Sequence, residues 1–165
     1  MTDEQGGRRA DHGDAELGAW ERTLEEMTAL AAERADEGWD TLTVTAADTA
    51  PTPPDAGETD RFGLVYTVGG DVASDVAAAH DAGFDRYEVY RRQVGGTLFL
   101  VTELRNTGER RAVFVAGAVD LTVADRLVEA ARERGELYTH LQTLDWTHLG
   151  SVHHDDPGAF FPSLA

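Results

Sequence analysis

Close chain reversals between short apolar segments constrain the fold of this chain more than any other feature. Gly95-Gly96 lies between two such segments, and both glycines tolerate positive φ, as a two-residue β-hairpin requires. Asn106–Gly108 makes the next reversal, and Asp145-Trp146 makes a third near the C-terminus. Consecutive strands of a doubly wound parallel sheet are joined by helical crossovers instead. The reversals therefore predict an α+β fold with a mostly antiparallel sheet.

Hydrophobic periodicity predicts the order of helices and strands along the chain. Leu17, Trp20, Leu24, Met27 and Ala31 recur at spacings of three and four, which predicts a first helix with one buried stripe. Two further helices and about six to seven strands follow from the same reading, in the order α-β-β-α-β-β-β-α-β-β. Three parts are predicted: a disordered acidic arm over residues 1–13, a single domain over 14–165, and within it a Pro-rich acidic loop over 46–61.

The charged residues are strongly unbalanced. The 165 residues include 31 Asp and Glu against 14 basic residues, all of them Arg, for a net charge of -17. Carboxylates on a crowded acidic surface repel one another in dilute buffer. In molar salt the screening length shrinks to about 3 Å, and most of this repulsion disappears. We therefore expect a salt-adapted protein. A GC-rich genome also explains Arg in place of Lys, but codon bias alone does not produce the excess of acids.

Several function classes are disfavoured by composition. The absence of cysteine excludes disulfides, thiolate metal sites and a cysteine nucleophile. No apolar run approaches the roughly 20 residues of a membrane span, and polar residues follow Arg8-Arg9 where an export signal needs an apolar segment. We expect a cytoplasmic protein without a membrane partner. Its negative net charge disfavours binding of nucleic acid. A serine hydrolase triad is also disfavoured, because none of the chain's three serines lies in a Gly-x-Ser-x-Gly nucleophile elbow.

Four segments of the chain resemble a known family. They are Pro53–Val65, Arg86–Arg91, Leu98–Glu103 and Tyr138–Gly150. With these segments the chain resembles an uncharacterised family of small haloarchaeal proteins, a domain of unknown function, from about Gly18 to Pro162. The resemblance implies no activity and transfers no functional residue, but it agrees with the expectation of salt adaptation.

One face of the Gly95-Gly96 hairpin is a candidate ligand or partner face. The hairpin register places four residues on this face: Tyr90, Arg92, Phe99 and Glu103. The leucines of the hairpin lie on the opposite face, which we expect to form the core. Arg and aromatic side chains together can bind an anionic ligand, a partner protein, or the acidic first helix of the same chain. Pairing of these Arg side chains with carboxylates of the chain itself is the favoured interpretation.

The second candidate site is a His-rich C-terminal hairpin. A two-residue turn at Asp145-Trp146 would place His140 and His153 on one face, whereas a three-residue turn would group His140, His148 and His154. Either set, with Asp155 or Asp156 as a carboxylate ligand or base, could hold a divalent metal. No metal-binding motif enforces this arrangement, and we predict no cofactor.

Two hypotheses for function follow. The preferred one is a non-catalytic module that binds a partner protein, itself as a homo-oligomer, or a small ligand, through the Tyr90 face or the His-rich hairpin. The alternative is a small metal-dependent hydrolase or lyase that uses the histidines of that hairpin.

Overall fold

The computed structural model describes residues 2–55 and 61–165, and side chains from Gly13 onward within those ranges. Three α-helices and eight strands form an α+β domain over this part of the chain. The helices are α1 (Thr2–Asp36), α2 (Gly70–Ala82) and α3 (Asp125–Arg134). The strands are β1 (Asp40–Thr45), β2 (Asp48–Thr52), β3 (Gly63–Val68), β4 (Arg86–Val94), β5 (Thr97–Asn106), β6 (Arg111–Asp120), β7 (Leu137–Thr143) and β8 (His148–His154).

The strands form two mixed sheets rather than the one sheet that was predicted. The first sheet has the order β1-β6-β5-β4 and the second β2-β3-β7-β8. The pairs β1–β6 and β3–β7 are parallel, and the other four pairs are antiparallel. The chain crosses between the sheets at two consecutive residues, where Ala46 N–H donates to Ala116 and Ala47 N–H donates to Thr67.

The predicted loop over 46–61 contains the strand that raises the count to eight. Residues Asp48–Thr52 pair with β3, with Pro51 opposite Leu64. The proline does not disrupt the sheet because β2 is an edge strand, and an edge residue can lack an N–H group on its unpaired side. Residues 56–60 of the same predicted loop lie outside the described residues.

Helix α1 begins earlier than predicted. Its backbone starts at Thr2 and includes the segment that we predicted as a disordered arm. That segment has no apolar period, and extending a nucleated helix by one residue requires far less free energy than starting one. Packing begins further along: Leu17 is 58% exposed, whereas Met27 and Ala31 are buried.

The core has two layers. The larger cluster lies between the sheets and contains Leu64, Tyr66, Leu98 and Leu100, and α2 and α3 direct their own buried residues into it. Gly117 allows the sheets to approach, because a Cβ there would overlap Thr49 and Tyr66. A smaller cluster lies under α1 on the outer face of the first sheet. The outer side chains of β7 and β8 therefore have no described helix packed on them.

Candidate functional site

The turn between β7 and β8 determines which histidines share a face. Thr143 N–H donates to Thr147 O across a three-residue turn in which Trp146 has φ 66°. The register then shifts, because Leu141 pairs with Gly150 but Gln142 pairs with His148, which leaves Leu149 as an extra residue. This bulge places His140, His148 and His153 on the outer face and His154 on the inner face. The observed set therefore differs from both sets that the sequence predicted.

His140 is held at both ring nitrogens. Nε2 lies 2.8 Å from the carbonyl oxygen of Phe62, and Nδ1 lies 2.7 Å from Oγ of Ser151. A carbonyl oxygen only accepts, so in the neutral ring Nε2 carries the hydrogen and Nδ1 accepts from the Ser151 hydroxyl. The ring is only 6% exposed, and this burial lowers the pKa of His140, with Arg61 nearby lowering it further. His140 is therefore a neutral imidazole at pH 7.

Ser151 connects His140 to two further histidines. Its hydroxyl oxygen lies 3.1 Å from Nε2 of the exposed His148, and its carbonyl oxygen lies 3.1 Å from Nε2 of His80 on α2. Gly150 makes room for His80, because a Cβ at Gly150 would overlap that ring. We call Arg61, His80, His140, His148 and Ser151 the imidazole cluster.

Burial, and then nearby positive charge, lower the pKa of His140 and His148. Partial burial lowers the pKa of His148, and Arg61, His140 and His80 lower it further in that order. Arg61 also lies close to Gln142, with Nη1 3.3 Å from Oε1. Cationic or potentially cationic side chains therefore gather at one place in a chain whose net charge is -17.

An aromatic row continues from the cluster along the outer face. The ring of Tyr138 stacks on His140 at 5.7 Å between centroids and meets His153 edge-on at 5.1 Å. His153 is paired with Glu136, whose Oε2 lies 2.9 Å from Nε2. His153 is thus separated from the imidazole cluster by Tyr138 and bound to a carboxylate.

His154 lies in the core instead. It is fully buried, its Nε2 is 2.7 Å from Oγ1 of Thr139, and its ring contacts Tyr87 and Phe160. Burial lowers its pKa to about 3. The neighbouring Asp155 accepts a hydrogen bond from the Tyr87 hydroxyl at 3.0 Å. Neither residue contributes to the imidazole cluster.

The predicted metal ligands do not converge. Over the described parts of the chain, no group of three or more His, Asp or Glu side chains is placed to hold a metal ion. Of the five residues in the predicted set, His140 and His148 come together, while His153, His154 and Asp155 have other partners. Both nitrogens of His140 also have partners, so the ring would have to give up a hydrogen bond to bind a metal.

The candidate face on the first sheet carries helix α1. The register is as predicted, with Arg92 opposite Phe99 and Glu88 opposite Glu103. Trp20 packs on Phe99, Glu26 pairs with Arg92 at 2.5 Å, and Arg34 pairs with Glu103 at 2.7 Å. Of the three occupants that the sequence left open, the acidic first helix lies there. Tyr90 and Arg92 still line a groove of about 390 Å³ beside α1.

Sequence reasoning missed the residues that connect the histidines. Ser151 is one of the three serines that lie outside a nucleophile elbow, and no pattern in the sequence points to His80. The cross-strand pairing of His140 with Ser151 depends on the bulge. Arg61 lies near these residues because it precedes β3, which pairs with β7. No local sequence signal reports either contact.

The fold and the site define a two-sheet α+β protein with an imidazole cluster at the β8 edge of its second sheet. In this cluster His140, His148 and Ser151 lie on the outer face, and His80 of α2 reaches the Ser151 carbonyl from the inner side. No helix of the described residues is both long and apolar enough to cross a bilayer. The chain belongs to DUF7529, a family of unknown function, which matches residues 6–162. Comparison with curated proteins and with solved structures finds no similar protein.

Proposed function

We propose that the protein is a salt-adapted, non-catalytic binding module that takes a small oxyanion, a carboxylate or a phosphate, at the imidazole cluster. The observation that carries this proposal is the convergence of His140 and His148 on the Ser151 hydroxyl, with Arg61 close enough to lower the pKa of both rings. Burial and the positive charge of Arg61 lower the pKa of both His140 and His148, and His140 lowers the pKa of His148 further. An oxyanion placed among them reverses this effect, because it attracts a positive charge on every one of them.

The cluster also offers suitable hydrogen-bond donors. Arginine binds carboxylate and phosphate oxygens through its planar fork, and a protonated imidazole such as the exposed His148 donates from its ring nitrogens. Both nitrogens of His140 already have partners, so His140 acts on the anion through its charge. His148 is exposed, so a ligand reaches it without displacing the core. Because the anion raises the pKa of His148, binding takes up a proton and becomes tighter as the pH falls through the pKa of the anion-bound ring.

Histidine NMR in concentrated KCl tests the proposal. The ring resonances of the protein are followed over a pH series with and without potassium phosphate or potassium acetate at constant ionic strength. We expect the anion to raise the pKa of His148. The variant His148→Ala should lose the anion-dependent shift of His140, whereas His153→Ala, which changes the same face outside the cluster, should keep it. A His148 titration that neither anion alters would refute the proposal.

One contact favours a second candidate, an acyl hydrolase without a metal. Ser151 Oγ lies within hydrogen-bond distance of Nδ1 of His140, and Phe62 O orients the other side of the ring. A nucleophile, a base and a group that orients the base form the arrangement found in serine hydrolases. In such a reaction, Ser151 oxygen attacks an ester carbonyl, and His140 accepts its proton and passes it to the leaving alcohol. Water then cleaves the acyl-serine bond.

A fluorophosphonate probe distinguishes the two candidates. A hydrolase would be labelled stoichiometrically at Ser151, and Ser151→Ala would lose the label while Ser74→Ala, an exposed serine on α2, would keep it. A binding module would stay unlabelled and still show the anion-dependent titration. For the metal-dependent alternative, elemental analysis of protein purified in concentrated KCl should find metal that His140→Ala loses.

A further inference from the structure

The two sheets have four edge strands, and three of them are protected. Edge strand β4 carries charged side chains along its length, and β2 contains Pro51. On β8, the carbonyl of Ser151 is bonded to His80 of α2. Charges, proline and covering side chains are the devices by which proteins prevent edge-to-edge pairing. The remaining edge, β1, has no charged residue or proline between Thr41 and Thr45, and no described side chain is hydrogen-bonded to its backbone there.

The backbone of β1 presents unpaired hydrogen-bonding groups. Asp40 N–H donates to Arg110 O and Ala46 N–H donates to Ala116 O, so even-numbered residues face β6. By strand alternation, the N–H and C=O groups of Thr41, Thr43 and Thr45 point away from the sheet. No hydrogen bond joins these groups to any described residue, and Thr43 and Thr45 are exposed.

We propose that β1 pairs with β1 of a second copy of this chain, in antiparallel orientation about a two-fold axis at Thr43. The two four-stranded first sheets then become one sheet of eight strands. In this register Thr43 faces the partner's Thr43 and Thr41 faces the partner's Thr45. The edge is therefore self-complementary, as a two-fold interface requires, and threonine pairs are favourable across antiparallel strands.

Charge at the ends of the strand supports the same register. Asp40 would face the partner's Ala46, so no carboxylate of β1 faces another across the interface. Asp40 also lies 3.7 Å from Arg111 of its own chain, which offsets its charge. The two-fold axis stands perpendicular to the continuous sheet, so both α1 helices lie on the same face. Because each copy has a net charge of -17, we expect the pairing to strengthen as KCl is raised.

Light scattering and disulfide trapping test the proposal in molar KCl. We expect the mass of a dimer for the unmodified chain and the mass of a monomer for Thr43→Lys, which places two like charges at the axis. The same substitution at the exposed turn residue, Thr147→Lys, should leave the dimer intact. Circular dichroism of both variants verifies that each is folded.

The chain contains no cysteine, so a single introduced thiol reports the contact directly. Facing Cβ atoms of paired strands are about 4.5 to 5.5 Å apart, close enough for a disulfide once the backbone adjusts slightly. Under mild oxidation, Thr43→Cys should form a covalent dimer at least tenfold faster than Thr147→Cys. A monomeric chain in molar KCl, or equal cross-linking of the two variants, would overturn the proposal. Dimerisation and anion binding are measured separately, so either can fail alone.

Discussion

Arg34 on helix α1 spans to Glu103 in the centre of the first sheet and binds both of its carboxylate oxygens. Nε lies 2.7 Å from Oε2 and Nη2 lies 3.3 Å from Oε1, and only 1% of the Glu103 side chain is exposed. The hydrogen bond with Glu103 raises the pKa of Arg34. A buried carboxylate without a partner is strongly unfavourable, so this pair specifies where α1 lies on the sheet.

We therefore predict that Arg34→Ala lowers the free energy of unfolding by about 3 kcal/mol, because it leaves Glu103 buried and less well paired. Arg22→Ala, on an exposed position of the same helix, should change it by less than about 0.5 kcal/mol. Urea unfolding at constant KCl measures both. Equal midpoints for the two variants would contradict the structural role of the pair.

His154 should make the protein less stable in acid. Its pKa is about 3 in the folded chain and about 6.5 when unfolded, so between these values only the unfolded state binds the proton. Stability then falls by about 1.4 kcal/mol per pH unit as pH drops from 6.5 toward 3. His154→Phe should reduce this slope by about one proton, and an unchanged slope would contradict a buried, neutral His154. Unfolding midpoints over a pH series decide between these outcomes.

Gly63 should tolerate no side chain. Its φ is 136°, and a Cβ there would overlap the carbonyl oxygen of Tyr138, a backbone atom on the neighbouring strand. We expect Gly63→Ala to destabilise the fold by about 3 kcal/mol or to prevent folding. Gly70→Ala, where a Cβ meets no atom within 4 Å, should stay within about 1 kcal/mol of the unmodified chain. Thermal unfolding of both variants makes the comparison, and a stable Gly63→Ala protein would count against the β3–β7 pairing.

Stability should also rise with salt. Glu21 and Glu25 are exposed like charges one helical turn apart on α1, and such a pair is destabilising by a few tenths of a kcal/mol when unscreened. Circular dichroism should show loss of structure as KCl is diluted. The double variant Glu21→Gln, Glu25→Gln should unfold at a lower KCl concentration. Unchanged structure in dilute buffer would reject salt adaptation.

Local signals in the sequence were sufficient for the Gly95-Gly96 hairpin. Its two strands and their facing residues are as predicted, with Val94 opposite Thr97. A two-residue turn specifies its own register, and the leucines of β5 then identify the buried face. The third helix likewise ends at Gly135, which adopts the left-handed conformation expected of a C-terminal cap.

The pairing of strands that are far apart in the chain could not be predicted from the sequence. The division into two sheets depends on a crossing at Ala46–Ala47, which carries no turn residue. Strand β2 was missed because its proline argues against a strand unless its place at a sheet edge is known. The composition of the imidazole cluster depends on the bulge at Leu149 and on a helix that brings in His80.

The sequence by itself determined the helices, most of the strands, the acidic character of the chain and the exclusion of cysteine chemistry, because each is a property of local periodicity or composition. Tertiary structure alone decided which strand edges remain open and which polar side chains meet. Those contacts join residues far apart in the chain, such as Phe62 with His140 and Arg34 with Glu103. Their free energy depends on burial and on hydrogen-bond geometry, which no local pattern records.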